Sequence, residues 1–390
     1  MIAARTDAET LRAAFERVRR DPRFADLYAG ITDLADAPAI GKDVVLERLR
    51  SFEPRAEPRG VYLVRSGGST REPLIFPVDI AENHAQRQAL AEQLRRVGIF
   101  GPSTVALNVF GYSDLYRTAA IFDDLLERCD ATTLPMSAHA PYADMLAAAR
   151  RFAPTHLLGT PSKLTLFARF LAERDERLDI AHLLYGGEPL RETTLRLLRE
   201  RFGVRRVWSL YGGAETGIWA WCDANRNPGC FELLSGIVVE VLDPDAQGFG
   251  PLAVTNGYRA RFPLFRYRVG DVGRIIERDG VRLLELRGRD RSSFQFAETT
   301  YDLGRIEEIA LGSDAVQLHL RFDEHGRDTL RLLLVDDSGA VSLAAVEREL
   351  RALLDCPEFD GIASVERVER RALHHDPVTA KAPAIVDHRR

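Results

Sequence analysis

The sequence predicts an α/β fold: a large N-terminal domain of mostly parallel sheets flanked by helices, then a small α+β C-terminal domain on a hinge. In the N-terminal half, short apolar runs such as VYLV, AHLLY and VWSL alternate with stretches in which apolar residues recur at helical spacing. This alternation is typical of βαβ units and a parallel sheet. After Gly217 strand-like runs follow one another, which predicts a β-rich subdomain. We expect a large domain over residues 1–287 and a mobile small domain over residues 288–390.

The predicted elements begin with an amphipathic helix. Thr6 and Glu9 form the T-x-x-E pattern of a capping box, which predicts a helix that continues to about Arg20. The elements that follow are a strand at 61–64 (VYLV), a helix at 84–97 stopped by Gly98, a strand at 104–112 (TVALNVFGY), a strand, turn and helix in THLLGTPSKLTLFARFLAERD with Pro161 as helix starter, a strand at 181–190, a helix at 191–202 and a strand at 207–210.

The remaining elements are strand-rich. GIVVEVLDPD, GPLAVTN and RIIERDGVRLLEL have the composition of strands, and Asp279–Gly280 in the last of them is a hairpin signal. The predicted C-terminal elements are a strand at 315–322, a strand at 330–335, a helix at 343–354, a strand at 362–368 and a basic tail. The charged run RGRDRSS at 287–293 has no apolar period, which suits a hinge between the domains.

Composition excludes several classes of protein. With 45% hydrophobic and 28% charged residues and a net charge of −5, the chain has the character of an ordinary globular protein without a basic footprint for nucleic acid. No apolar run is long enough to span a membrane, and the N-terminus lacks the apolar core of a signal peptide. The irregular spacing of Cys129, Cys222, Cys230 and Cys356 argues against a disulfide framework. A cytoplasmic location is the resulting expectation.

The segment YGGAETG, Tyr211 to Gly217, is the main candidate for a functional site. It follows the apolar run VWSL, and ligands of an open α/β sheet bind at the carboxyl ends of its strands. Its glycines allow a flat ligand to lie against the backbone, and the carboxylate of Glu215 beside the hydroxyl of Thr216 can hold a Mg²⁺–phosphate group. The alternative is an ordinary strand-to-helix turn that carries a surface acid.

Two further glycine-rich segments follow strands. YGGEPL, at 185–190, ends the strand before YGGAETG, and two Gly-Gly turns on one rim of a parallel sheet leave a slot for a planar ring such as adenine. SGGST, at 66–70, presents backbone N–H groups and hydroxyls to a polyanion, although it matches neither the P-loop nor the dinucleotide fingerprint. Gly/Ser segments of this kind are also common as plain loops.

Three charged residues complete the set. Asp271 follows a glycine in FPLFRYRVGDVGRI, where a turn-held carboxylate can accept both hydroxyls of a ribose; an aspartate in a simple β-turn is the alternative. Arg289 lies in the expected hinge and Lys381 in the tail TAKAPAIVDHRR. Taken alone, each of these two cations fits a solvated surface position.

Taken in order, these segments resemble one family. SGGSTREP, GYSDLY, YGGEP, YGGAETG, PLFRYRVGDVGRI, RGRD and a C-terminal K-x-P-x-x-V-D are similar to the motifs of the adenylate-forming (AMP-binding) enzymes, and in particular of the phenylacetate–CoA ligase-like branch. The resemblance extends from about Val61 to the tail, and YGGAETG followed by RYRVGD is its most specific part.

The resemblance implies a role for each motif in binding ATP and Mg²⁺. By that analogy, the β- and γ-phosphates are held by Ser66, Gly67, Gly68, Ser69 and Thr70, and the adenine is flanked by Gly186, Gly187 and Glu188, with Tyr211 stacking nearby. Glu215 binds Mg²⁺, Thr216 contacts the α-phosphate, and Asp271 holds the ribose with Arg289 as a second contact. Lys381 reaches the carboxylate and the α-phosphate in a closed form. It also implies an acid pocket lined by Phe110, Gly111, Tyr112, Gly212, Gly213 and Ala214, with Ile218 and Trp219 just beyond.

The chain departs from the family pattern at several positions. The phosphate loop has Arg71 and Leu74 where the family usually has Gly and Lys, and Ala380 replaces the glycine before the tail lysine. Cys230 stands where the branch usually has His, and free buried cysteines are favoured over a remnant metal site. GYSDLYRTA lacks the second glycine and the Gly-Gly pair of the corresponding run in the branch, which predicts a reshaped acid pocket. Core packing is an equal alternative for Phe110 and Trp219.

The resulting expectation is ATP- and Mg²⁺-dependent conversion of a small aryl or arylacetic acid to its acyl-adenylate with release of pyrophosphate. The acyl group would then pass to coenzyme A, to a carrier-protein thiol or to an amine, with no nucleic-acid or membrane partner. A homodimer is expected by analogy with the branch alone. Two alternatives stay open: a non-catalytic homologue that binds a nucleotide or acyl-adenylate, motivated by Arg71, Leu74 and Ala380, and AMP activation of a different oxyanion.

Overall fold

The computed structural model describes residues 6–50, 52–56, 58–65, 75–289, 293–296, 299–324, 327–354, 359–377 and 380–389. The strands are β1 (Val61–Arg65), β2 (Ile75–Asp79), β3 (Val105–Asn108), β4 (Thr132–Pro135), β5 (His156–Gly159), β6 (His182–Gly186), β7 (Arg206–Gly213), β8 (Gly217–Asp223), β9 (Cys230–Leu233), β10 (Ile237–Val241), β11 (Gly250–Asn256), β12 (Tyr267–Arg278), β13 (Val281–Arg289), β14 (Ser293–Phe296), β15 (Thr299–Asp302), β16 (Ala315–Phe322), β17 (Asp328–Val335), β18 (Ala363–Arg367) and β19 (Ile385–Asp387). The α-helices are α1 (Asp7–Arg20), α2 (Lys42–Leu49), α3 (Ile80–Arg96), α4 (Thr118–Arg128), α5 (Tyr142–Phe152), α6 (Pro161–Ala172), α7 (Glu192–Phe202), α8 (Leu303–Ile309), α9 (Leu343–Leu354) and α10 (Phe359–Ile362).

The first helix forms as the sequence predicts. The Thr6 hydroxyl accepts a hydrogen bond from the Glu9 N–H (3.3 Å), and the Glu9 carboxylate accepts one from the Thr6 N–H (2.8 Å). This capping box satisfies N–H groups that a helix start otherwise leaves unpaired. One face of α1 buries Ala14, Phe15 and Val18, so the helix is anchored at its start and along its length.

An eleven-stranded sheet organises the first of two compact units, with strand order β10-β11-β12-β13-β9-β8-β7-β6-β5-β3-β4. The strands β4, β3, β5, β6 and β7 pair in parallel, and their connections run through helices, as expected of βαβ units. From β7 to β10 every neighbouring pair is antiparallel. The α/β class is therefore confirmed, but the expected β-rich subdomain continues the same sheet, which is mixed and not mostly parallel.

Buried apolar residues fill the sides of this sheet. The helices α3 and α4 pack on it through residues such as Leu94 and Leu126, which are fully buried with Trp219 and Val254 of the strands. A second cluster joins α1 and α2 to the segment before β12, where the rings of Phe15 and Phe265 lie 5.4 Å apart. The long apolar strands thus belong to the core, which is why their continuous apolar sequences predict buried strands.

The hairpin of β12 and β13 confirms the turn signal at Asp279–Gly280. Asp279 has φ +53° and Gly280 has φ +73°, and the two strands pair directly on either side of them. Two successive positive φ values are the geometry of a tight hairpin turn, and aspartate and glycine adopt it at little cost. β13 continues to Arg289, so the start of the expected hinge is strand; residues 290–292 lie outside the described part of the chain.

The two units are formed by separate parts of the chain. The described residues of the first unit lie within Met1–Ser66, Leu74–Pro189 and Leu197–Asp290, and those of the second lie within Leu190–Arg196 and Arg291–Arg390. The second unit has a four-stranded sheet of order β18-β17-β16-β19 whose core includes Leu332 and Leu350. Its predicted strand–strand–helix–strand order is confirmed; the functional division into domains 1–287 and 288–390 stays a prediction.

Among the described residues, no helix has the length and apolar character needed to cross a bilayer.

Acid is expected to weaken the first unit through His156 on β5. The His156 side chain is buried, its Nε2 lies 3.0 Å from the Ile99 carbonyl oxygen, and its ring stacks on His182 at 4.4 Å. Burial, with His182 adding to it, lowers the pKa of His156 from 6.5 to about 4. The folded state therefore holds a neutral imidazole that the unfolded chain protonates, so this stability is complete above about pH 6.5 and decreases as the pH falls towards 4.

This prediction is tested by measuring the free energy of unfolding in urea at pH 7 and pH 4.5. We expect His156→Gln to remove about 2–3 kcal/mol from the acid-induced loss of unfolding free energy, because one fewer proton is taken up on unfolding. His139→Gln, at an exposed histidine, is the matched control and should leave the pH dependence as it is. An unchanged pH dependence in His156→Gln would contradict the assignment.

Candidate active site

The segment YGGAETG forms the tip of a hairpin, not a turn from a strand into a helix. β7 continues through Gly213, the turn is Ala214 to Thr216, and β8 begins at Gly217 and runs back antiparallel to β7. A Cβ atom at Gly212 would lie 2.1 Å from the Gly217 carbonyl oxygen, closer than any side chain tolerates. The close approach of the two strands is therefore possible only with glycine at this position.

The carboxylate of Glu215 is held in place from one side. Its Oε1 accepts a hydrogen bond from the Tyr267 hydroxyl (2.8 Å), and Tyr267 is a buried residue at the start of β12. Its Oε2 makes no hydrogen bond to any described residue. A fixed carboxylate with one oxygen available is suited to binding a cation.

The side chain of Thr216 lies inside the hairpin. Its hydroxyl accepts hydrogen bonds from the Gly213 N–H (2.9 Å) and the Trp219 indole N–H (3.2 Å), and the residue is 1% exposed. In this conformation the hydroxyl stabilises the turn. The contact with an α-phosphate that the family resemblance implies stays a prediction.

Two buried polar residues, Gln86 and Asn256, hold the backbone of the turn from beneath. Gln86 of α3 donates to the carbonyl oxygens of Thr216 (3.0 Å) and Ile218 (3.1 Å). Asn256 at the end of β11 donates to the Thr216 carbonyl (2.8 Å) and to the Gln86 amide oxygen (3.2 Å). Gln86 and Asn256 are 2% and 0% exposed, so their hydrogen bonds are shielded from water and fix the orientation of the turn.

Arg259 adds a positive charge beneath the same turn. Its Nε donates to the Glu215 carbonyl oxygen (3.4 Å), while Nη1 and Nη2 are buried without a hydrogen-bond partner in the described part of the chain. Burial lowers the pKa of Arg259 from 12.5 to about 10, which still leaves the guanidinium charged at neutral pH. The carboxylates of Glu82 and Asp79 act on this guanidinium and offset part of its charge.

Asp271 lies on β12 and is linked to the hairpin by Tyr211. The Tyr211 hydroxyl donates to Asp271 Oδ2 at 2.6 Å, and the Tyr211 ring packs edge-on against Trp219 at 4.7 Å. In the β12–β13 register Asp271 is paired with Arg289, whose side chain lies outside the described part of the structure. The backbone thus brings the predicted ribose contacts to one position of the sheet.

The turn after β6 lies at the same edge of the sheet as the hairpin. β6 and β7 are parallel neighbours in which Gly186 pairs with Leu210, so the prediction that both glycine turns share one rim is confirmed. A Cβ atom at Gly186 would lie 2.9 Å from the Leu210 carbonyl oxygen, and Gly187 has φ +81°. Both glycines are therefore required by the backbone, independently of any ligand.

Glu188 in this turn is held by the start of α6. Its Oε2 accepts hydrogen bonds from the Ser162 N–H (2.9 Å) and the Ser162 hydroxyl (2.7 Å). Its Oε1 is buried and has no hydrogen-bond partner among the described residues. Glu188 therefore connects two neighbouring loops of the site and retains one acceptor.

The residues expected to line the acid pocket differ in exposure. Phe110 is 1% exposed and stacks on Phe122 with ring centroids 4.1 Å apart, and Trp219 is 1% exposed in the core. Both take the core-packing position that the sequence left open. Gly111 is buried, whereas Tyr112 is 58% exposed, so of these residues only Tyr112 presents an aromatic side chain to solvent.

Two groups of predicted site residues do not belong to the described part of the first unit. Ser66 to Thr70, with Arg71 and Leu74, lie outside the described residues. Lys381 belongs to the second unit, where its carbonyl oxygen accepts a hydrogen bond from the Asp376 N–H (2.7 Å). Ala380 before it has φ +57°, a left-handed conformation that glycine would adopt with less strain.

The described residues contain no group of three or more His, Cys, Asp or Glu side chains that could hold a metal. Cys222 and Cys230 are free and buried, and burial raises the pKa of the Cys222 thiol to about 12. The Cys222 thiol donates a hydrogen bond to the Asn227 carbonyl oxygen at 3.1 Å.

The structure adds residues that the sequence did not single out. Tyr267, Gln86, Asn256 and Arg259 hold the hairpin, and Ser162 holds Glu188. Tyr267 stands within the RYRVGD segment, which gave the only available signal. Gln86 lies on a helix 130 residues before Thr216, and nothing in its local pattern predicts the contact.

Comparison with known proteins gives a family match and a shared fold. A family described as AMP-binding enzyme matches residues 125–257. The indoleacetate–lysine synthetase of Pseudomonas savastanoi is 25% identical over 233 residues, which cover 55% of this chain and 56% of that protein, about half of its length. The solved 2-hydroxyisobutyryl-CoA ligase, in the postadenylation state with 2-HIB-AMP, has a TM-score of 0.71 at 19% identity and is matched over 99% of this chain and 91% of that one. The amide bond synthetase McbA from Marinactinospora thermotolerans has a TM-score of 0.56 at 18% identity, covering 83% and 68%.

At these identities the solved structures establish the fold, and the phenylacetate–CoA ligase-like branch stays a prediction. The fold they share with this chain is that of the adenylate-forming ligases, and the matched segment, residues 125–257, includes the hairpin with Glu215 and the turn with Glu188. Residues 125–257 therefore match the AMP-binding enzyme family, and the chain as a whole has the fold of the solved 2-hydroxyisobutyryl-CoA ligase.

Proposed function

We propose that this protein is an ATP-dependent ligase that activates a small carboxylic acid as its acyl-adenylate and transfers the acyl group to a thiol or an amine. The observation that carries the proposal is the buttressed hairpin. Glu215 is fixed by Tyr267, and the carbonyls of the turn are held by Gln86 and Asn256. Because the adjacent turn with Glu188 lies on the same edge, this arrangement suits a nucleotide that must be held rigidly during reaction.

The chemistry brings two anions together. A carboxylate oxygen of the acid attacks the α-phosphorus of ATP, a new P–O bond forms, and the bond to the bridging oxygen breaks to release pyrophosphate. The thiol or amine of the acceptor then attacks the acyl carbon, the C–O bond to AMP breaks, and the acceptor loses a proton. The first step needs positive charge around the phosphates, because charge develops there as the anions approach.

The residues present fit a bound Mg²⁺ that is held mostly by the nucleotide. Mg²⁺ commonly takes one or two protein carboxylates and completes its coordination with phosphates and water. Glu215 offers one such carboxylate, with Oε1 oriented by Tyr267 and Oε2 available. When bound, the ion would neutralise charge on the phosphates. Asp271, oriented by the Tyr211 hydroxyl, would accept the ribose hydroxyls.

The remaining roles follow the family resemblance. Ser66 to Thr70 would hold the β- and γ-phosphates, Gly187 and Glu188 would flank the adenine, and Arg289 would be a second ribose contact. Lys381 would contact the carboxylate and the α-phosphate in a closed form, since a mobile lysine can offset the charge only when both substrates are bound.

The acid and the acceptor are the finer part of the proposal. Tyr112 at the expected acid pocket and the family resemblance favour an aryl or arylacetic acid. The names of the similar proteins include an acid–amino acid synthetase, an acyl-CoA ligase and an amide bond synthetase, so lysine-like amines and coenzyme A are both acceptors to test.

The test is acid-dependent exchange of labelled pyrophosphate into ATP, with Mg²⁺ and a panel of aryl, arylacetic and aliphatic acids. Exchange with at least one acid is expected, followed by transfer when coenzyme A or an amine is added. Tight nucleotide binding without exchange for any acid would favour the non-catalytic alternative. Exchange with a non-carboxylate oxyanion alone would favour AMP activation of a different oxyanion.

Lys381→Ala is expected to lower the exchange rate by about 10²–10³-fold, the effect of removing one group that stabilises developing charge. Lys42→Ala, which removes a lysine from α2, is the matched control and should retain wild-type exchange. Wild-type exchange in Lys381→Ala would remove that residue from the adenylation step.

A further inference from the structure

Lys163 is a buried lysine whose ammonium makes no ion pair with any residue that the structure describes. It lies in the first turn of α6 and is 6% exposed. Its ammonium makes no hydrogen bond to these residues either, and lies over the face of the Tyr142 ring, whose centroid is 4.0 Å from Nζ. The side chain is buried, but Nζ itself is not among the fully buried polar atoms, so the ammonium reaches solvent. A lysine this deeply buried is rarely without a counterion.

The fold places Lys163 at the edge of the sheet that carries the proposed active site. β5 ends at Gly159, Thr160 caps α6, and Lys163 follows in the first turn. The adjacent residue, Ser162, holds Glu188 through its N–H and its hydroxyl. β5, β6 and β7 are successive parallel neighbours in which Gly159 pairs with Tyr185 and Tyr185 with Ser209, so the end of β5 lies roughly 10 Å across the sheet from Ser209, at a spacing of about 4.8 Å per strand. The hairpin tip with Glu215 lies further along β7 in the same direction.

The aromatic ring that faces the Lys163 ammonium is uncharged. The Tyr142 ring stacks on Phe167 of α6 at 5.9 Å, and burial raises the pKa of Tyr142 to about 12, so its hydroxyl is uncharged at neutral pH. Burial alone lowers the pKa of Lys163 from 10.5 to about 8. The ring offsets part of the charge through a cation–π contact, and the start of α6 adds further positive potential. An anionic ligand would offset both the charge of the ammonium and the positive potential at the start of α6.

We propose that Lys163 binds a carboxylate of a small-molecule substrate, distinct from the carboxylate that is activated. This inference rests on the proposed ligase function and specifies its substrate class. The ammonium is a single compact charge, which suits one carboxylate, and the triphosphate is expected at the Glu215 hairpin two strands away. Two sources share this chemistry: a second carboxylate on the acid, or the carboxylate of an amino acid that accepts the acyl group.

Matched pairs of compounds separate the two sources. For the acid, adipate is compared with hexanoate, and 4-carboxyphenylacetate with phenylacetate, in pyrophosphate exchange. For the acceptor, lysine is compared with cadaverine, which lacks only the carboxylate, in amide formation. We expect the wild-type protein to prefer the member with the extra carboxylate by at least about tenfold in kcat/KM in one of the two arms, the discrimination that one ionic contact supports.

Lys163→Met keeps the length of the side chain and removes its charge. It is expected to abolish that preference by raising KM for the carboxylate-bearing compound, while the KM for ATP and the use of the matched compound stay within about twofold. Its melting temperature should equal or exceed the wild-type value, because an unpaired buried charge is lost. Lys163→Gln is the second variant, and Lys42→Met is the control.

A preference unchanged in Lys163→Met, or an equal loss toward both members of each pair, would overturn the proposal. Titration calorimetry with the same compounds keeps this result separate from the proposed function. Binding of adipate or lysine that depends on Lys163, without any exchange, would reject the ligase and retain the site. Binding of equal strength in wild type and Lys163→Met would reject the site whether or not exchange occurs.

Discussion

Gly212→Ala is expected to reduce acid-dependent pyrophosphate exchange by at least about 100-fold, since a displacement of reacting groups by about 1 Å is enough for such a loss. The added Cβ would lie 2.1 Å from the Gly217 carbonyl oxygen and 2.7 Å from the Ile218 Cα, both backbone atoms that cannot rotate away. The two strands must therefore separate, and Glu215 at the tip moves with them. The free energy of unfolding should fall by about 1–3 kcal/mol, as for other overpacked sites.

Gly101→Ala is the matched control for this change. A Cβ atom at Gly101 meets no heavy atom within 4 Å, so the substitution should leave exchange and stability near their wild-type values. Exchange is measured at saturating ATP and acid, and stability by urea unfolding. Retention of wild-type exchange in Gly212→Ala would show that the hairpin tip does not position the reacting groups.

The elements of the fold were predictable where neighbouring residues alone determine the local structure. The capping box of α1 and the hairpin turn at Asp279–Gly280 form as expected, because both depend on local hydrogen bonds and backbone angles. The pairing direction of the strands after Gly217 was not predictable in this way. A buried antiparallel strand and a buried parallel strand have the same apolar composition, and only the connections distinguish them.

The candidate site was predictable as far as its motifs are contiguous. Glu215 and Asp271 stand in recognisable segments, and the structure brings Tyr211 and Asp271 together as neighbours. The supporting residues were not predictable, since Gln86 and Asn256 reach the turn from distant parts of the chain. A polar residue on a helix gives no local indication of whether it faces solvent or a buried carbonyl.

The burial of Lys163 was likewise not predictable from the sequence. The segment TPSKL predicted a helix start, and α6 does begin at Pro161. On sequence alone a lysine in the first turn of a helix is expected at the surface. Its burial against Tyr142 arises because α5 packs beside α6, a tertiary contact that no periodicity in either helix encodes.

Glu215→Gln is the second change with a large expected effect, because it removes a charge and keeps the shape of the side chain. The amide oxygen can still accept the hydrogen bond from Tyr267, so the hairpin should remain in place and the melting temperature should change little. Exchange is expected to fall by about 10²–10³-fold, the range for one preorganised charged group at a reacting centre. Glu92→Gln, at an exposed position of α3, is the charge-matched control.

The dependence on Mg²⁺ distinguishes a metal ligand from a structural carboxylate. If Glu215 binds the ion, Glu215→Gln must raise the Mg²⁺ concentration needed for half-maximal exchange, while Tyr267→Phe, which leaves the carboxylate charged but less well oriented, should raise it by a smaller factor. If Glu215 only stabilises the hairpin, Tyr267→Phe and Glu215→Gln would alter stability and leave the Mg²⁺ requirement at its wild-type value. That second result would show that Glu215 is not a ligand of the ion.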